Sequence, residues 1–478
     1  MGPSRSCMAM TSMHLPLPLL ATFAIIILAV STVIGGQALL DSNSDDRALS
    51  TSQPPPALPG IAAYRGKLQW WSLSRLINDR TGRLKSASSV RACQRLPLSK
   101  RQKHLCTSRR SGYGPALVTI AARASLAAVR ECQRQFQDRL WTCEHFEQGP
   151  LFGRAIKQKG SREAAFVHAL MAASLAHEAV VACSRGNLED CGCVRPQLPA
   201  PTQKDIEQYE LTQFGQSGAP VAPRAGETHL DDKKLNISYV WSAKCFDNIL
   251  YGMSKADEFV QKSSRYVKRR ARQLMNLHNH QAGILTLKET KMKCQCLGVT
   301  SSCSFRVCWN EVEHFTKISK QLLQMYERAI PMKLVAIVDP EKLPPNVTGI
   351  PENSTEAQLA PAVLVKKLKV SQKDIRWELR PAQAGAAYPS AHELVYIDQS
   401  PDYCKRNDFL GVQGTGGRQC HRDDDFSPGS CSLLCCNRRV RTVTRVIRQS
   451  CHCKFVYCCR VECQTCTRQI TEHFCADV

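Results

Sequence analysis

Cysteine placement constrains this chain more than any other feature of the sequence. It has 25 cysteines in 478 residues, a density that suits an oxidising compartment, where disulfides can form and persist. Cys7 lies in an N-terminal segment that reads as a secretory signal. Arg5 and His14 precede an apolar run over residues 15–34, which ends at Gly35-Gly36 as a small-residue cleavage region does. An uncleaved anchor is the competing reading, because the run approaches bilayer-spanning length, but Pro16 and Pro18 weaken it. No later stretch reads as long and apolar enough to span. Removing the signal leaves 24 cysteines, with twelve from Cys93 to Cys308 and twelve from Cys404 to Cys475. The 95 residues from 309 to 403 hold none. Two even sets predict two separately stapled domains, and connectivity does not follow from spacing alone.

The expected architecture is α+β. A signal peptide (1–36) and a mobile tail (37–66, with Pro54-Pro55-Pro56) precede a helical N-terminal domain (67–330). A linker and domain edge (331–390) lead to a small disulfide-rich β domain (391–478). Helices are predicted over 116–141, which lacks Gly and Pro, and over 161–185. The second has Ser161 as N-cap, Gly186 as stop, and a stripe of Phe166, Leu170, Ala173, Ala176 and Val180. A third is expected over 256–277, with a basic face of Lys262, Arg265, Lys268, Arg269, Arg270 and Arg272. Residues 194–240 read as a long soft loop, and the second cysteine set as short strands and loops. The sequons at Asn236, Asn346 and Asn353 fall in or beside soft segments, where a glycan is tolerated.

CQCLGVTSSCSFRVCW, residues 294–309, is the most pointed local motif. Pairing Cys294 with Cys308 and Cys296 with Cys303 would staple a hairpin twice and present Thr300, Ser301 and Ser302 at its tip. Half a zinc site is the alternative for such C-x-C pairs, as for Cys463 and Cys466, but the cysteine density favours disulfides. Nothing matches G-x-S-x-G or H-E-x-x-H, and GVQGTGGRQC (411–420) lacks the strand and helix of a phosphate cradle. No catalytic activity, metal or cofactor is expected. The formal charge is +23. No acid lies between Asp425 and Glu462, where Arg438, Arg439, Arg441, Arg445, Arg448, Lys454 and Arg460 accumulate. Outside a cell the matching polyanion is sulfated glycosaminoglycan and not nucleic acid. A solvated face without a specific partner is the bland reading.

Together these residues resemble the Wnt family of secreted, lipid-modified signalling glycoproteins. CQRLPLSKRQKHLC (93–106), ECQRQFQDRLWTC (131–143), SREAAFVHAL (161–170), CSRGNLEDCGC (183–193) and LMNLHNHQAG (274–283) carry the resemblance. So do the 294–309 hairpin, SPDYC (400–404), GTGGRQC (414–420), CSLLCCNR (431–438) and CHCKFVYCCRVECQTC (451–466). All 24 cysteines fall on the family pattern.

The resemblance implies a Wnt-like fold with a cystine-knot-like C-terminal domain bearing long fingers. It implies the pairs Cys93–Cys106, Cys132–Cys143, Cys183–Cys191, Cys193–Cys245, Cys294–Cys308 and Cys296–Cys303. In the C-terminal domain these are Cys404–Cys436, Cys420–Cys431, Cys435–Cys475, Cys451–Cys466, Cys453–Cys463 and the vicinal Cys458–Cys459. It further implies no cofactor but a palmitoleoyl ester at the hairpin tip, added by Porcupine, with N-glycans. The carrier would be Wntless, and the receptors Frizzled cysteine-rich domains with LDL-receptor-related co-receptors. Heparan sulfate proteoglycans would be matrix partners. Leu297 and Val299 would frame the lipid on Thr300, with Ser301 or Ser302 as fallback. Phe455, Val456, Tyr457, Cys458 and Cys459 would form a second grip. Three departures stand out from the usual C-H-G-x-S-G-S-C tip: Leu297 replaces His, Thr300 replaces the acylated Ser, and Ser301 replaces Gly. Val456-Tyr457 stands where His-Trp is usual, and the 51 residues between Cys193 and Cys245 exceed the family's usual length. The runner-up function is an unacylated matrix or heparan-sulfate-binding protein on the same scaffold.

Overall fold

The computed structural model describes residues 69–77, 98–107, 114–147, 149–188, 190–192, 200–214, 238–261, 271–288, 290–297, 305–338, 359–361, 375–422, 427–457 and 460–477, with Cys93, Leu96 and Val194. These all fall in the unit spanning Ala57–Val478. A 3-10 helix (Trp70–Leu76) is followed by α1 (Lys100–Thr107), α2 (Gly114–Phe136), α3 (Gly153–Gln158) and α4 (Arg162–Ser184). Next come α5 (Gln203–Phe214), β1 (Ser238–Trp241), α6 (Ile249–Gln261) and α7 (Ala271–Ile284). The hairpin β2 (Thr290–Leu297) and β3 (Phe305–Val312) precedes α8 (Phe315–Glu327) and β4 (Ile330–Val338). The rest is β5 (Leu359–Pro361), β6 (Ile375–Pro381), β7 (Val395–Tyr396), β8 (Gln419–Cys420), α9 (Cys431–Leu434), β9 (Val440–Val456) and β10 (Arg460–Cys475).

α4 is the axis of the helical core. Ser161 caps it by accepting from the Ala164 N–H, and Gly186 beyond its end has φ of +71°. Burial is not confined to the expected stripe: nearly every residue from Glu163 to Ala176 is inaccessible, because α2, α6, α7 and α8 pack around the helix. This corrects the expectation that no later stretch is long and apolar enough to span a bilayer. α4 meets that test by length and composition, and 83% of its most apolar window is buried inside the fold. The packing is close enough to need glycine, with Gly252 on α6 and Gly283 on α7 lying against the α4 backbone.

Other expectations also shift. α2 ends at Phe136 and not at 141, since the Cys132–Cys143 disulfide holds Cα atoms 5.8 Å apart. Eleven helical residues would separate them by about 16 Å, so the chain must turn, and Cys143 does so with φ of +57°. The helix expected over 256–277 is described as two pieces, α6 and α7, and residues 262–270 between them lie outside the described residues. The loop expected over 194–240 contains α5 and β1. Thr202 and Asp205 cap the helix reciprocally, with backbone-to-side-chain bonds of 3.0 and 3.3 Å. In the second cysteine set, short strands give way to β9 and β10, of 17 and 16 residues, which pair along almost their whole length.

Among the described residues, three sheets accompany the helices, ordered β1-β3-β2, β5-β4-β6 with β7 on β4, and β8-β10-β9. The second docks on the helical core through Asn279 of α7, fully buried, which donates to the Val395 carbonyl and accepts from its N–H, both at 2.9 Å. The third has a small core of its own, Cys420, Cys431, Leu434, Cys435 and Cys475. Arg418 ties this region to the turn after α2 by donating to the Gln137 and Leu140 carbonyls at 3.0 and 3.1 Å.

A buried histidine pair links α4 to α7: His168 Nδ1 lies 2.8 Å from His280 Nε2. Burial pushes both down, His280 to about 3 and His168 well below its ordinary value, with His280 adding to the latter. The unfolded chain binds protons on both near pH 6.5, whereas the folded chain does not. Their contribution is therefore complete above about pH 6.5 and is lost as pH falls toward about 3, at about 1.4 kcal/mol per pH unit for each group. Denaturant midpoints measured from pH 8 to 4 should be level above pH 6.5 and then fall, with a shallower fall in His280→Gln.

Candidate functional site: two stapled hairpins

The first hairpin is β2–β3. Cys294 and Cys308 stand directly opposite and are disulfide-bonded with Cα atoms 4.1 Å apart. Cys296 is also disulfide-bonded. The last described pair before the tip, Leu297 opposite Phe305, is apolar and exposed (44% and 39%). Val299, Thr300, Ser301 and Ser302, like Cys303, lie outside the described residues. The hairpin is flanked by β1, which runs parallel to β3 with Tyr239 beside Arg306.

The second hairpin is β9–β10. Its root is held by Cys404–Cys436, Cys420–Cys431 and Cys435–Cys475, and its outer part by Cys451–Cys466 and Cys453–Cys463. At about 3.3 Å per residue the ribbon reaches some 50 Å. The register shifts between Glu462 and Gln464, and His452 opposite takes φ of +48°, a bulge that adds twist just below the tip. Beyond it Tyr457 is 96% exposed, Phe455 70% and Val461 61%, with Val456 also exposed. Val461 was missed by sequence reasoning, although it stands directly opposite Phe455. These apolar side chains are presented together at the end of a disulfide-stapled ribbon, the kind of exposed surface that partners commonly cover. Cys458 and Cys459 lie outside the described residues.

Among the remaining pairs named from sequence, Cys93–Cys106, Cys132–Cys143 and Cys183–Cys191 are joined. Cys245 is disulfide-bonded, and Cys193 lies outside the described residues. Among the described residues, two cysteine groups have metal-like spacing, Cys420/Cys431/Cys435 and Cys451/His452/Cys466. Every cysteine in them is in a disulfide and so offers no thiolate.

The basic residues are dispersed. Arg438 turns into the hairpin root, donating to the Cys435 carbonyl at 3.0 Å and to the Thr415 hydroxyl. Arg445 pairs with Glu472 at 3.2 Å, and Arg441 lies over the Phe474 ring. Arg439 and Arg448 are exposed, the latter on the opposite ribbon face from Arg441 and Arg445. Arg272 lines a cavity of about 300 Å³ with Lys157 and Lys159. Lys262, Arg265, Lys268, Arg269, Arg270 and the sequons at Asn236, Asn346 and Asn353 lie outside the described residues.

A model of the Wnt family matches residues 94–476. Protein Wnt-5b of Xenopus laevis is 30% identical over 417 residues, covering 86% of this chain and 94% of that protein. Human Wnt-5b is 30% identical over 414 residues, covering 85% and 93%. Among solved structures, human WLS in complex with WNT8A aligns with a TM-score of 0.43 and 23% identity, over 82% of this chain and 100% of that one.

Proposed function

The chain belongs to the Wnt family of signalling ligands, and from that premise we propose that it is secreted and grips the cysteine-rich domain of Frizzled receptors with its two hairpins. The observation that carries the reading is the exposed apolar end of each stapled hairpin, Leu297 with Phe305 and Phe455 with Val461 and Tyr457. Disulfides near each end limit the conformational entropy lost on docking. Thr300 would carry a palmitoleoyl ester added by Porcupine, and Wntless would carry the acylated chain to the surface. LDL-receptor-related co-receptors would complete the signalling complex. Exposed Arg439 and Arg448 would hold the ligand near heparan sulfate.

Mass measurement of the Thr300–Ser302 peptide from secreted protein tests the lipid. A palmitoleoyl increment is expected at Thr300, lost in Thr300→Val and kept in Thr300→Ser. Each buried methylene contributes about 0.8 kcal/mol, so Thr300→Val should weaken binding to a Frizzled cysteine-rich domain more than about a hundredfold. An unmodified peptide with no receptor binding would sink this reading. It would instead support the unacylated matrix-binding alternative, for which the basic ribbon is the motivating observation.

A further inference from the structure

The segment between Cys193 and β1 contributes α5, and α5 is not a loose decoration. It packs against β2, and its side chains meet the hairpin at Arg306. That arginine is only 8% exposed although it stands one residue from the last described pair before the tip. Its guanidinium lies over two aromatic rings, 5.9 Å from the centre of Tyr209 on α5 and 5.7 Å from that of Tyr239 on β1. Arg306 Nη1 donates to the Tyr239 hydroxyl at 3.1 Å, and that hydroxyl donates to Glu210 Oε1 at 3.0 Å. The tyrosine hydroxyl therefore joins a cation on the hairpin to an anion on the helix. Its proton is held tightly: burial first, and Glu210 after it, push Tyr239 up to about 12 against the opposing effect of Arg306.

The register places this cluster at a mechanically telling point. Arg306 stands opposite Cys296 and shares a strand face with Cys308, so the clamp sits on the face that carries the staples. Disulfides hold the two strands to each other, but they do not fix the hairpin against the rest of the molecule. A planar guanidinium that lies over two rings and donates to the hydroxyl of one of them constrains direction as well as distance, which a lysine would do less well.

We propose that α5 is a brace: Tyr209 and Glu210, acting through Arg306 and Tyr239, are positioning residues that set the angle of the β2–β3 hairpin for receptor docking. The receptor part of this statement rests on the function proposed above, whereas the mechanical part does not. The Tyr209→Ala/Glu210→Ala protein, full-length and purified from medium, is compared with wild type by amide hydrogen exchange and by binding to a Frizzled cysteine-rich domain. Amides of β2 and β3 should exchange about tenfold faster, with α4 and β9–β10 unchanged, and affinity should fall about fivefold to tenfold. Tyr209→Phe, which keeps the ring, should behave as wild type, while Arg306→Lys should match the double variant. Unchanged exchange in β2–β3 overturns the brace whatever the receptor does. Faster exchange with undiminished affinity overturns the positioning role. If wild type binds no Frizzled domain, the receptor reading fails by itself, and the exchange result still decides whether α5 braces the hairpin.

Discussion

A Gly283→Ala chain is expected to lose about 3 kcal/mol or more of folding stability and to be largely retained in cells. A Cβ at Gly283 would collide with the Ala169 carbonyl oxygen and lie 2.7 Å from its Cα. Both obstacles are backbone of α4, which cannot rotate away as a side chain would. The two helices must separate, and the close packing around α4 would go with them. Gly252 is a second contact of this kind, with a Cβ 2.6 Å from the Ala176 carbonyl oxygen. Gly192 is the control, having nothing within 4 Å of its Cβ position, and Gly192→Ala should stay within about 0.5 kcal/mol of wild type. Against a typical stability of about 5–15 kcal/mol, the Gly283 loss is severe. Urea unfolding of the secreted fraction, with the ratio of secreted to retained protein, measures it. Equal midpoints for Gly283→Ala and Gly192→Ala would show that the helices have room to move.

Tyr457→Ala should weaken binding to a Frizzled cysteine-rich domain about thirtyfold while leaving the unfolding midpoint where it was. The two halves of this expectation have one origin. A side chain 96% exposed contributes almost nothing to the fold. The same ring, buried on docking with Phe455 and Val461, has the profile of an interface hot spot worth about 2 kcal/mol. Phe455→Ala should follow with a smaller loss. Tyr457→Phe separates ring from hydroxyl, and retained affinity there would assign the contact to the aromatic face. Titration calorimetry with the isolated receptor domain is the direct measurement. Undiminished affinity of Tyr457→Ala would remove the fingertip from the binding surface.

Much of the scaffold was legible because its signals are local. The helix expected over 161–185 agrees with α4 to one residue at each end, since the signals of Ser161 and Gly186 act over a single turn. The paired C-x-C and C-x-x-C spacings sit on hairpins whose registers place the cysteines opposite or diagonal to one another. What could not be read depended on distant partners. Burial on every side of α4 comes from helices well separated in sequence, and an apolar stripe says nothing about the faces beside it. α5 was passed over because prolines and glycines flank it, although Thr202 and Asp205 spell a capping box. Arg306 carries no signal of its role in its own segment, since its partners Tyr209 and Tyr239 come from α5 and β1.

The all-round burial of α4 has a consequence for how the chain is made. A ribosome completes this 23-residue helix after α2 but well before the other three helices that cover it, α6, α7 and α8. α6 begins at Ile249 and α8 ends at Glu327, so at about 5–20 residues per second the cover arrives seconds to tens of seconds later. In that interval an apolar rod of bilayer-spanning length waits with only α2 of its partners made. For a chain secreted as proposed above, exposure of this helix during synthesis is a hazard separate from the final packing, and substitutions that slow closure of α6 and α7 over it should lower yield before they lower stability.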